Sequence, residues 1–226
     1  MKNIPRQGIT LACFFGLVLG AFIIIVGDKL DNIKINTSED NITVIEEDVE
    51  QISQSAIQSI DDKIKAYIKH KNPRVYPLEI DYIKSSIIFS AEKYNIQKPT
   101  MTALIQVESN FDTKANSGQA IGMGQINYSV WKEELKKAGI VQKENDLYDP
   151  ANNALAIGFV LAKNKENCQK LKDEGKLSAY HFYTVNECMI RRYLGITYIN
   201  NKPTQTSVDY YNKFRIALAD FHLGGY

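Results

Sequence analysis

Apolar residues fall into three regimes along this chain. From Gly8 to Gly27 the sequence GITLACFFGLVLGAFIIIVG carries no charged residue, which approaches the ~20 apolar residues a helix needs to cross a bilayer core. Asp28 to Asn41 is polar and mixed in charge, and reads as a linker. From Ile42 to about Lys71, Ile45, Val49, Ile52 and Ala56, then Ile57, Ile60, Ile64 and Tyr67, recur at helical spacing. This predicts an amphipathic helix whose stripe shifts once midway. Glu46, Glu47, Asp48 and Glu50 lie near its start, where they suit the positive end of the helix dipole. Two readings are open for it: a stalk or coiled-coil pairing segment, or a helix packed against the domain that follows. Asn72-Pro73 ends it, because the residue before a proline disfavours helix.

From Leu78 the pattern is that of a packed domain. Residues 78–94 place Ile80, Ile83, Ile87 and Ala91 on one helical face. Asn95 to Pro99 reads as a turn, after which Thr100 or Thr102 can cap a helix that carries Glu108. Tyr128 to Ala138 is predicted helical with Trp131 and Leu135 inward, stopped by Gly139. Asp149-Pro150 opens another helix by a cap followed by proline. Its Ala154, Leu155, Ile157, Phe159 and Leu161 are apolar nearly all round, as in a buried helix. Leu177 to about Val185 and Val208 to Phe221 supply two more. No segment alternates with period two and no repeat is present, so the class is all-α, one core of about six or seven helices. The expected domains are 1–27 as membrane anchor, 28–72 as linker and amphipathic helix, and 73–226 as the globular domain.

Composition narrows the partners. A formal charge of +1 over 226 residues gives no field for the phosphate-driven binding of nucleic acid. Lys2 and Arg6 precede the apolar run, so the positive-inside rule puts the N-terminus in the cytoplasm and everything after Asp28 in the periplasm or wall space. A cleavable signal peptide is the competing reading, but the run ends Ile-Ile-Ile-Val-Gly-Asp without an A-x-A-like site. The expected protein is thus single-pass, held in the inner membrane by residues 8–27. Cys13 lies inside that run, which leaves Cys168 and Cys188 either to pair in an oxidising compartment or to stay as two free buried thiols. His70, His181 and His222 have no zinc-site spacing and no C-x-x-C is present, so neither metal nor cofactor is expected. Lys163 to Lys176 reads as a solvated loop or helix end.

The chemistry concentrates between Thr102 and Tyr128. Glu108 closes a mostly apolar helix, whose neighbours would desolvate its carboxyl and raise its pKa towards the range a general acid needs. Ser109 can orient it by a hydrogen bond. The turn Gly122-Met123-Gly124-Gln125 is permissive enough to bring backbone close to a ligand. Asp112, the nearest second carboxylate, falls beyond the helix end and reads as a loop residue.

These residues resemble a family. Glu108-Ser109-x-Phe111, then Ala115, then Gly122-x-x-Gln125 is similar to the E-S pair and G-L-M-Q of the soluble lytic transglycosylase catalytic domain, a relative of goose-type lysozyme. Leu147-Tyr148-Asp149-Pro150-x-x-Asn153 resembles its L-F-D-P-x-x-N helix start. Tyr183, followed eight residues later by Arg191-Arg192-Tyr193-Leu194-Gly195, keeps the spacing of its Y-N-A-G-P-G-x-V-R-R-Y-L-G, and Ser207-x-Asp209-Tyr210 resembles its late T-x-x-Y. The likeness spans roughly residues 80–221. Three departures stand out: Gly124 replaces the apolar residue before the glutamine, Tyr183-Thr184-Val185-Asn186-Glu187-Cys188 lacks the asparagine and glycines, and the loop from Ala115 to Gly122 is one residue short.

The resemblance implies a lysozyme-like helical fold and cleavage of the β-1,4 bond between N-acetylmuramic acid and N-acetylglucosamine in peptidoglycan strands. It implies Glu108 as acid and then base, without a second carboxylate. It also implies Ser109, Gly122, Met123, Gln125, Tyr183 and Tyr210 as residues that contact substrate. Two further expectations stay open beside the enzyme: a lysozyme-type hydrolase, and a non-catalytic wall-binding scaffold that seats a secretion, conjugation or phage assembly.

Overall fold

The computed structural model describes residues 60–195, 198–199 and 202–224. The expected anchor, the linker and the first part of the amphipathic segment lie outside the described residues. Among the described residues no helix is long and apolar enough to cross a membrane. What is described falls in one compact unit.

Residues 60–71 are helical (α1), and their apolar stripe enters the core. Ile64, Tyr67 and Ile68 are fully buried. The Tyr67 ring meets Phe111 and Phe221 edge-on, with centroids 6.0 and 5.2 Å away, and its hydroxyl donates to the Ala217 carbonyl at 3.2 Å. For these residues the packed-helix reading holds, and the boundary drawn between 72 and 73 divides segments that share a core. Burying each such side chain contributes about 1.5–3 kcal/mol, more than a solvated stalk could gain there.

Helix α2 (Pro77–Lys93) turns Ile80, Ile83, Ile87 and Ala91 inward, the face its spacing predicts. Helix α3 (Lys98–Ser109) starts earlier than its threonines suggest. Gln97 is its cap residue and Pro99 sits in the first turn, where a missing N–H has no intrahelical partner to lose. Thr100 and Thr102 are therefore buried inside the helix, and the Thr102 hydroxyl donates to the Lys98 carbonyl at 2.8 Å instead of capping. Helix α4 (Tyr128–Lys137) buries Leu135, and Trp131 meets Phe159 edge-on.

The longest helix, α5 (Pro150–Asp173), begins as expected, with the Asp149 side chain accepting from the Asn152 N–H. Its first half is buried and its second half, which includes most of the Lys163–Lys176 stretch, is solvated apart from Asn164 and Cys168. A helix was expected over Leu177–Val185, but that span holds only a short 3₁₀ turn (Ser178–Tyr180), and α6 runs from Val185 to Tyr193. Thr184 decides the start, because its hydroxyl accepts from the Glu187 N–H. Two two-residue strands, β1 (Tyr198–Ile199) and β2 (Lys202–Pro203), pair as a hairpin before α7 (Gln205–Leu223). Helix α5 packs against α2 and α6, and α7 against α3 and α6.

Two links hold α6 in place. Cys168 of α5 and Cys188 of α6 are joined as a disulfide, their Cα atoms 5.9 Å apart, with Phe182 buried beside them. One turn on, Glu187 and Arg191 form a buried ion pair at 3.0 Å. Arg191 also donates through Nε to Ser207 Oγ of α7 at 2.8 Å and lies over the Phe182 ring. Reduction of the disulfide, or Cys168→Ser, should lower the unfolding free energy by about 3 kcal/mol, the loop-closure value for a sequence separation of 20. Urea denaturation with and without reductant measures this, and an unmoved midpoint would mean that helix packing alone holds α6.

Candidate active site

Glu108 lies in the last turn of α3, which ends abruptly. Asn110 and Phe111 both take left-handed backbone angles, φ 54° and 64°, which side chains other than glycine adopt at a cost. Neighbouring contacts offset it. Asn72 Nδ2 donates to the Asn110 carbonyl and Asn110 Nδ2 to the Lys71 carbonyl, each at 2.9 Å, while Phe111 is fully buried. The chain is thereby turned away directly after Glu108.

The turn at 122–125 is pinned from three helices. Ser109 of α3 donates its hydroxyl to the Met123 carbonyl at 2.7 Å. Asn153 of α5 accepts from the Gly124 N–H at 2.8 Å and donates to the Ile121 and Leu147 carbonyls at 3.0 and 2.8 Å. Tyr193, at the end of α6, donates its hydroxyl to the Gly124 carbonyl at 2.7 Å. The glycines serve this packing rather than the approach of a ligand. A Cβ on Gly122 (φ +74°) would meet Asn153 Nδ2 at 2.1 Å, and one on Gly124 would meet Ile157 Cγ1 at 2.3 Å. The apolar residue absent at 124 thus has its space filled by Ile157.

The group that touches Glu108 comes from α7. Tyr210 donates its hydroxyl to Glu108 Oε1 in a short hydrogen bond. Two effects compete on the carboxyl. Desolvation favours the neutral acid and the Tyr210 hydrogen bond favours the anion. Desolvation wins, and the pKa rises from 4.5 to about 7. Burial first, and the charge of Glu108 second, push the phenols of Tyr193 and Tyr210 well above their ordinary value, so both remain neutral donors. The arrangement is one acid poised to give or take a proton near neutrality. Asp112 is exposed and its Oδ1 accepts from the Lys114 backbone N–H at 2.8 Å, so it stays a loop residue.

The sequence-predicted residues divide. Tyr210 touches Glu108 directly, while Ser109 pins the turn that holds Gly122 and Gln125. Ser109 binds the turn and not the Glu108 carboxyl that it was expected to orient. Gln125 is half-buried in a left-handed conformation (φ 48°) and its Nε2 donates back to the Gly122 carbonyl at 3.1 Å. Met123 is fully buried, so its side chain belongs to the core and is not placed to touch a substrate. Tyr183 stands apart: the residue is 92% exposed, its backbone N–H donates to Glu187, and it lines a groove with Gln169, Lys172 and Leu177. The tyrosine beside the turn is Tyr193. Asn153 and Tyr193 were visible only as members of motifs, and nothing in their spacing says that both reach the same turn.

The sequence matches the family model described as Transglycosylase SLT domain over residues 85–192. That span runs from within α2 to the last turn of α6 and holds Glu108, the 122–125 turn and Asn153, while Tyr193 and Tyr210 follow it. No curated protein and no solved structure matches the chain. The segment assembled around Glu108 is thus similar to the transglycosylase SLT domain family.

Proposed function

We propose that the chain is a peptidoglycan lytic transglycosylase that cuts the β-1,4 bond between N-acetylmuramic acid and N-acetylglucosamine without water. The observation that carries this reading is the Glu108 carboxyl: desolvated, held near pKa 7 and bound by the Tyr210 phenol. In the first step Glu108 gives its proton to the glycosidic oxygen as the bond from that oxygen to the muramoyl C1 breaks. In the second, the carboxylate takes the proton of the muramoyl 6-hydroxyl as O6 bonds to C1, which closes a 1,6-anhydro ring. Atoms and protons balance, and the acid is regenerated. Glycosidases that admit water pair two carboxylates at set separations; here one suffices because the nucleophile is part of the substrate. Tyr210 donates to Oε1, which leaves Oε2 to carry the proton in transit. In this reading Gln125 contacts the sugar from the turn that Ser109 pins next to Glu108. The apolar run at 8–27 would hold this domain on the outer face of the cytoplasmic membrane, next to its polymer.

Three outcomes follow. Glu108→Gln should abolish release of 1,6-anhydro products from purified sacculi while the circular dichroism spectrum stays unchanged. Mass analysis reads the products, and reducing muramic ends would instead identify a hydrolase. Sacculus binding without cutting by both proteins would identify a scaffold.

The reaction starts from protonated Glu108, so kcat/KM should fall as pH rises through about 7. Tyr210→Phe removes the contact that favours the anion, so this limb should move to higher pH as activity drops. A limb that moves to lower pH, or stays, removes Tyr210 from the account.

Stability should carry the same signature. Folded Glu108 keeps its proton up to about 7, whereas an unfolded carboxyl loses it near 4.5. The folded state therefore binds more protons between those values, and stability falls as pH rises through that window, by roughly 3 kcal/mol. Glu108→Gln should lack that loss and be the more stable protein at pH 8, as denaturation at pH 4.5 and 8 will show.

A further inference from the structure

A groove of about 620 Å³ opens between the α1–α2 connection and the loop that follows α3. Its size is that of a ligand site, ~300–1,000 Å³, and its lining includes Ser109, the immediate neighbour of Glu108. The acids in its wall are already engaged. Glu79 Oε1 accepts from the Thr113 hydroxyl at 2.7 Å, and Asp112 Oδ1 accepts from the Lys114 N–H. Of the cations, Lys71 is paired with Asp220 at 2.6 Å, whereas Arg74 and Lys114 are exposed and form no ion pair among the described residues. The Lys114 ammonium rests against Tyr148, 3.4 Å from its carbonyl and 5.8 Å from its ring centroid. Tyr76, 77% exposed, adds an uncovered aromatic face to the same groove.

Two unpaired cations and a bare phenol ring beside a glycan-cutting acid suit a ligand that is anionic at one end and aliphatic along its length. We infer that this groove receives the peptide stem carried by a muramoyl residue, its free carboxylate on Arg74 and Lys114 and its aliphatic side chains along Tyr76. The inference rests on the lytic reading of Glu108 and names the form of substrate that site takes. Arginine suits the role because its planar fork can bind a carboxylate through two parallel hydrogen bonds. Tyr76 offers apolar area at low cost in side-chain entropy, its hydroxyl remaining wet.

The test compares the full chain with Arg74→Glu and Lys114→Glu on two substrates: glycan strands with their peptide stems, and the same strands stripped by an amidase, which leaves only the muramoyl lactyl carboxylate. The wild type should favour the peptide-bearing strands through KM. Each variant should raise that KM about fivefold, the scale of an exposed ion pair lost and reversed, with kcat unchanged and stripped-strand kinetics unmoved. Equal losses on both substrates would place the recognised carboxylate on the sugar and overturn the stem assignment. Unchanged kinetics on both would overturn it while leaving Glu108's role intact. A wild type that cuts neither substrate would overturn the lytic reading itself, and the groove's assignment with it.

Discussion

Dehydration of one carboxyl is the constraint on which the domain turns. A glutamate in water is ionised at neutral pH and cannot donate a proton; to hold one it must lose its hydration shell without gaining a full countercharge. The structure meets both conditions at Glu108. The phenol from Tyr210 satisfies one oxygen as a neutral donor and so stabilises the anion only in part. An arginine or lysine there would bring the pKa back down. The residual imbalance leaves the pKa at about 7, and the price is a folded state that loses stability once the group ionises.

That balance requires four helices to converge. Helix α3 brings Glu108 and Ser109, α5 brings Asn153, α6 brings Tyr193 and α7 brings Tyr210. Asn153 is the hub of the turn, since its side chain alone bonds to Ile121, Leu147 and Gly124. The Glu187–Arg191 pair performs a similar service between helices. An ion pair taken out of water gives little net stability, but this one reaches Ser207 and thereby ties α6 to the start of α7. Both tyrosines of the site stand on the two elements joined this way.

The domain also extends past the segment that matches the family model. Helix α1 precedes residue 85 and α7 follows residue 192, yet Tyr67 of α1 packs on Phe221 of α7 and bonds to its Ala217 carbonyl. Together they close the core behind the acid. The connection from α1 to α2 forms one wall of the groove at Ser109, and Asn72 within it secures the left-handed end of α3. The flanking elements therefore shape the surroundings of the acid as well as supporting the fold.

Much of this was legible from local pattern. The inward face of α2, the cap-and-proline start of α5, the helical class and the candidacy of Glu108 depend on residues within a turn or two of one another, where periodicity and capping act. What the pattern missed depends on distance. Tyr183 and Tyr210 both read as cleft residues from their motifs, Tyr183 the more so, but the late start of α6 leaves Tyr183 in solvent, and only the packing of α7 on α3 carries a phenol to a carboxyl 102 residues away. Gly122 and Gly124 announced a permissive turn, while the neighbour pressing against each was set by α5. Met123 is hidden for the same reason. Side-chain chemistry and helix propensity are written locally in this chain; which atom meets which across the core is settled by how the helices stack.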